Sequence, residues 1–303
     1  MTGADLAALA VLFVVGCCVG SFGNVLVWRV PRRDRSNALR GERDGALELP
    51  GLHLEADPGA KVTTEAGIDA ADEGSSESIV TPGSYCPHCQ HPLSWFENIP
   101  VLSWVALRGK CRHCRAPIPL RYPLVELATG VVWVLLAVRF GWAWELPAYL
   151  ALGFGLVVLS AIDLELYLLP NKIVYPTGYA LAALLLGAAA LSGEWDAFLR
   201  AFAAGVASFA AFFIIHFVAP RGMGFGDVRL SFVLGMALGW IGWIEVFFGF
   251  FLAFALGAVI GVLLIMLRLR SRKQPIPFGE FMALGTFIMI VWGEPIVELY
   301  LGT

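Results

Sequence analysis

Long apolar stretches separated by short charged or glycine- and proline-bearing segments dominate this chain from end to end. Runs of roughly 20 mostly apolar residues match the length a helix needs to cross a bilayer. Eight such runs are read here, at about 4–28, 122–140, 146–162, 173–192, 197–219, 229–247, 249–267 and 281–301. The sixth and seventh nearly fuse. The pattern predicts an all-α membrane protein with about eight transmembrane helices. Composition agrees: 58% of the 303 residues are hydrophobic, only 15% are charged, and mean hydropathy is +0.74.

Charge placement orients the spans. The first run starts with Asp5 and no basic residue, and it is followed by Arg29, Arg32, Arg33 and Arg35. A cleaved signal peptide has the opposite polarity, so the run is expected to be retained, with its N-terminus outside. With eight spans, segments 29–121, 163–172, 220–229 and 268–280 all face the cytoplasm. They hold 19 of the 21 Lys and Arg residues, leaving only Arg139 and Arg200 outside. This is the asymmetry that the positive-inside rule demands.

Three regions are therefore expected: a first transmembrane helix over 1–30, a cytoplasmic loop over 31–121, and a seven-helix region over 122–303. Within the loop, residues 41–80 carry ten acidic side chains against Arg43 and Lys61. Such a composition buries too little apolar surface to offset chain entropy, so this stretch reads as a disordered linker. Residues 84–116 read differently. Cys86-Pro-His-Cys89 and Cys111-Arg-His-Cys114 are two C-x-x-C pairs 21 residues apart. Two such knuckles in one small cytosolic loop favour a four-thiolate structural zinc site over a redox pair. Cys17 and Cys18, mid-span beside Gly16, Gly20 and Ser21, read instead as small residues that let helices approach.

Chemistry points to two aspartates. Asp163 and Asp227 each lie where an apolar run meets a basic loop, and both fall on the predicted cytoplasmic side. Carboxylates at the edge of hydrocarbon are costly and mark functional cavities. If two helices bring these groups together they share one proton, the arrangement that activates water against a peptide bond. Gly222, Gly224 and Gly226 precede Asp227, which allows unusual backbone conformations and close approach. Glu165 is expected to point elsewhere. A different class of reading, a transporter or assembly scaffold with ion-binding aspartates, is disfavoured by the lack of a repeated half and by the near-surface depth of both residues. No nucleic-acid partner is expected.

At these residues the chain resembles the type IV prepilin peptidases. The likeness runs through Gly20-Ser-Phe-Gly-Asn-Val25, Arg29-Val-Pro31, both cysteine knuckles, Asn98-Ile-Pro-Val-Leu-Ser-Trp104, Arg121-Tyr-Pro-Leu-Val-Glu126, both aspartate motifs and Pro275-Ile-Pro-Phe-Gly279. The resemblance implies cleavage of the basic leader of type IV prepilins or type II secretion pseudopilins by Asp163 and Asp227. It also implies methylation of the new N-terminus with S-adenosylmethionine, in a bacterial inner membrane with the active site facing the cytoplasm; a peptidase without methyl transfer is the alternative. By motif position, Pro170, Gly224, Gly226, Arg229, Pro277 and Gly279 support the site, and Cys86, Cys89, Cys111 and Cys114 hold zinc. Glu126 either contributes to cofactor binding or pairs with Arg121 or a loop amide. No glycine-rich strand-to-helix turn marks a dinucleotide-type cofactor site. Departures from the family pattern are Arg229 in place of lysine, Gly23 in place of a larger residue, Glu280 where proline is common, and the longer acidic insert.

Overall fold

The computed structural model describes residues 3–44, 84–219, 223–267 and 278–301. Among them the chain forms α1 (Gly3–Asp44), a 3-10 turn (Trp95–Asn98), α2 (Leu102–Ala106), α3 (Arg121–Phe140), α4 (Leu146–Leu166), α5 (Asn171–Ser192), α6 (Trp195–Val218), α7 (Phe225–Ile241), α8 (Trp243–Met266) and α9 (Phe278–Leu301). The architecture is all-helical. Seven of these helices are long and apolar enough to cross a membrane; α7, at 17 residues, is the shortest of the long ones.

Two expected boundaries move. The first helix does not stop at residue 30 but continues through Pro31 to Asp44, although its apolar portion ends at Pro31. One interior proline removes a single helical hydrogen bond, and the Arg, Ala and Leu residues that follow are good helix formers. The break between the sixth and seventh expected spans lies at Gly242, not after residue 247. Arg200 on α6 enforces it, donating to the carbonyls of Gly239, Trp240 and Ile241 at 2.8, 2.6 and 3.2 Å. Those carbonyls lack intrahelical partners at a helix C-terminus, and a cation there is also favoured by the helix dipole. The other arginine expected outside, Arg139 on α3, donates to the Ile290 carbonyl and pairs with Glu294 on α9 at 2.9 Å. Arg200 thus clamps the end of α7, and Arg139, in the last turn of α3, ties that helix to α9 beside its kink at Trp292. The acidic stretch lies outside the described residues apart from its first four positions.

Lateral packing relies on small residues. A β-carbon on Gly16 or Gly20 of α1 would come within 2.9 and 2.8 Å of the Gly130 and Glu126 backbones of α3, and one on Gly130 would strike Cys17. Gly235 and Gly239 of α7 lie equally close to Ser208 and Ala204 of α6. Without a hydrophobic drive inside lipid, such close backbone approach supplies the association energy. The largely buried α7 is the hub: Tyr149 of α4 donates its hydroxyl to the Ala237 carbonyl at 2.7 Å. Around it pack α5, α6, α8 and α9.

Candidate active site and metal centre

Asp163 arrives in the last turn of α4. That helix ends at Tyr167, in a left-handed conformation with its N–H bonded to the Asp163 carbonyl at 2.9 Å. The turn sends the chain back across the bundle end, so Leu169 lies over the site and buried Pro170 starts α5, its carbonyl accepting from Ile173 and Val174. Asp227 sits in the first turn of α7, where its Oδ2 accepts the Gly224 N–H at 3.1 Å. This hydrogen bond satisfies an otherwise orphaned helix N-terminal donor and fixes the carboxylate orientation.

The two carboxylates meet over the start of α9. Asp163 Oδ2 is 3.0 Å and Asp227 Oδ1 is 3.4 Å from the point where a β-carbon on Gly279 would stand. The oxygens therefore cannot be farther apart than those two lengths laid end to end. Both residues are almost fully enclosed, at 4% and 8% exposure. Two carboxyl groups this close and this buried cannot readily carry two negative charges.

The glycines act by close approach. Gly224 has an ordinary extended backbone (φ −70°, ψ 149°) and Gly226 is helical, so neither uses the left-handed freedom expected of them; Gly222 lies outside the described residues. What they need is space: a β-carbon on Gly226 would press on Leu169 Cβ at 3.0 Å, and one on Gly279 would meet Leu169 Cδ1 at 3.1 Å. Leu169 therefore wedges between both glycines and shields the carboxylates. Sequence reasoning did not single it out, because an apolar residue in a loop carries no chemical signal; its position before the buried proline is the only hint. Arg229 does not reach the aspartates. It bonds Asn171 Oδ1 on α5 and lies 4.5 Å over the Phe225 ring, tying the starts of α5 and α7 together. Pro277 is outside the described residues. Glu165 pairs with Arg121 at the start of α3, away from the dyad.

Glu126 Oε2 accepts the Val101 N–H at 2.7 Å, the loop-amide geometry. Val101 is β-branched yet left-handed (φ 60°), a strained state that persists only when surroundings hold it. Nearby, Asn24 donates to the Tyr122 carbonyl at 3.0 Å and Trp104 to the Ile118 carbonyl at 3.1 Å, so these motif residues fasten the loop to the bundle.

The cysteine pairs form two equivalent knuckles. In each, the residue four after the first cysteine (Gln90, Arg115) is left-handed and donates to that cysteine's carbonyl, and the cysteine N–H bonds a carbonyl five residues on. All four sulfurs lie within 4.8 Å of one another, with Cys86–Cys114 at 3.8 Å and Cys89–Cys111 at 4.0 Å. A tetrahedral zinc with Zn–S bonds of about 2.3 Å places its sulfurs about 3.8 Å apart, so the residues fit the ion. Backbone N–H groups of Cys114 and His113 draw the Cys111 thiol down to about 7, while desolvation and the neighbouring sulfurs hold the Cys114 thiol up at about 11, so thiolates form unevenly across the cluster. Purified protein is expected to carry about one zinc per chain. Cys86→Ser and Cys111→Ser should each reduce this to a trace by elemental analysis; full occupancy in both would exclude the site.

Residues 14–140 match the Bacterial Peptidase A24 N-terminal domain and residues 150–262 match the Type IV leader peptidase family. The chain is 34% identical over 300 residues to a prepilin leader peptidase/N-methyltransferase of Stutzerimonas stutzeri, covering 98% of this chain and 94% of that protein. It is 35% identical over 298 residues to one of Aeromonas hydrophila (96% and 93% covered) and 34% over 302 residues to one of Pseudomonas aeruginosa (98% and 94%). No solved structure matches.

Proposed function

The chain belongs to the type IV leader peptidase family, and from that premise we propose that it cleaves prepilin or pseudopilin leaders with Asp163 and Asp227 and then methylates the new N-terminus. The observation that carries the first step is the convergence of two buried carboxylates on Gly279. One, ionised, takes a proton from water as it attacks the scissile carbonyl. The other, protonated, donates to the carbonyl oxygen and stabilises the developing charge. The amide C–N bond then breaks, with the dyad returning a proton to the nitrogen. Gly224 N–H holds Asp227 so that its Oδ1 faces the shared point, and Leu169 limits bulk water there.

In this reading α7 is an eighth span, short because most of its 17 residues sit inside the bundle rather than against lipid. The basic segments face the cytoplasm, which puts the dyad and the zinc knuckles on one side of an inner membrane. The ion pair between Arg121 and Glu165 supports this, since it joins the loop's end to the aspartate end of α4. Zinc stabilises a segment too small to fold alone. S-adenosylmethionine would supply the methyl group to the released amine. Among the described residues no cradle for it is evident, and the Glu126 oxygen is engaged by a loop amide.

The test is a prepilin incubated with the purified protein in detergent and read by mass spectrometry. Leader loss is expected, followed by a gain of one methyl on the mature chain only when S-adenosylmethionine is present. Leader loss without that gain would leave a peptidase alone; an intact prepilin would defeat the reading.

A further inference from the structure

We propose that Glu280 is a specificity-determining acidic member of the cleavage site, whose free carboxyl oxygen accepts the amino group that hydrolysis releases. The inference rests on the peptidase reading above. Glu280 follows directly on Gly279, in the first turn of α9. Its carboxyl reaches the hydroxyl of Ser160, and its charge interacts with that of Asp163. Ser160 and Asp163 are three residues apart on α4, so they share one helix face, and Glu280 stands against that face. Its Oε1 is enclosed and has no hydrogen-bond partner among the described residues, nor is any ion pair to it present among them. Enclosed polar atoms normally find a partner, so a vacant acceptor beside a hydrolytic dyad is suited to a group that the substrate brings.

The reaction supplies that group. Water's oxygen bonds the carbonyl carbon, the C–N bond breaks, the leader departs as a carboxylate, and the nitrogen leaves with one added proton. At neutral pH it gains a second from solution and becomes a primary ammonium with three donors. The dyad shares a proton and offers a single negative charge. Glu280, adjacent to Gly279 and facing Asp163, provides the further acceptor for the ammonium. A protonated amine against a carboxylate is a charge-assisted hydrogen bond, about twice as strong as a neutral one.

The test is direct binding of fluorescently labelled peptides matching a mature pilin N-terminus to the full-length protein. One peptide carries a free α-amine and its twin an N-acetyl group. The wild-type protein is expected to bind the free amine about ten-fold more tightly. In Glu280→Gln, which keeps the shape and the contact to Ser160, that preference should fall below about two-fold. Glu280→Asp should retain part of it. A wild-type protein indifferent to acetylation, or a Glu280→Gln variant with the full preference, would overturn the proposal. Neither result bears on whether Asp163 and Asp227 are needed for cleavage, so the two readings fail separately.

Discussion

Asp163→Asn and Asp227→Asn should each lower leader cleavage by about 10²–10⁴-fold, the range associated with losing a positioned acid or base. The double variant should be scarcely worse than either single one, because groups acting as a unit are not additive. Neither change should unfold the protein. The carboxylates crowd the same point over Gly279 at 4% and 8% exposure, so a neutral amide of equal shape removes the cost of holding a charge in a poorly solvated place. Asn at position 227 keeps an oxygen for the Gly224 N–H. The melting temperature is therefore expected to be unchanged or raised while activity collapses. Measured together, the two quantities separate chemistry from folding; a variant that cleaves at the wild-type rate removes its residue from the mechanism.

Gly279 should be the next most sensitive position, although it has no chemistry of its own. An alanine β-carbon there would stand 3.0 Å from Asp163 Oδ2, 3.1 Å from Leu169 Cδ1 and 3.4 Å from Asp227 Oδ1. It would fill the space between the carboxylates, where water and the scissile carbonyl must come together. Displacement of a catalytic group by about 1 Å can lower rate by about 10²-fold. Gly279→Ala is expected to lose about ten-fold in kcat and Gly279→Val about a hundred-fold or more, with KM changing less. The same substitutions at Gly187, where nothing lies within 4 Å of an added β-carbon, should be nearly silent. A kcat for Gly279→Val close to wild type would mean the reacting atoms do not occupy that space.

Much of this was legible in the residue order, and the exceptions have physical causes. Long apolar runs identified the helices to within a few residues, because lipid leaves the backbone little alternative to helix. The join at Gly242 was misplaced since the apolar run passes straight through it; the end of α7 is set by Arg200, a residue some forty positions away that binds its terminal carbonyls. The continuation of α1 beyond Pro31 was missed because a proline among basic residues reads as a loop. The glycines before Asp227 were recognised, but as devices for unusual dihedrals. Their actual service to Leu169 and the carboxylates depends on which neighbours come near, and that information is not local. Glu280 stood out in the sequence only as a departure from a proline-bearing pattern.

Sequence alone determined the class of molecule, its helical runs, the four thiols suited to one metal ion and the two acids worth attention. Those features depend on local composition and spacing, which a linear chain displays openly. Tertiary structure decided that the acids meet, that Gly279 is the point they share, that Leu169 covers them and that a third carboxyl lies beside them. Each of these is a distance between helices distant in the chain, and such distances arise only when small residues let α4, α7 and α9 pack at close range.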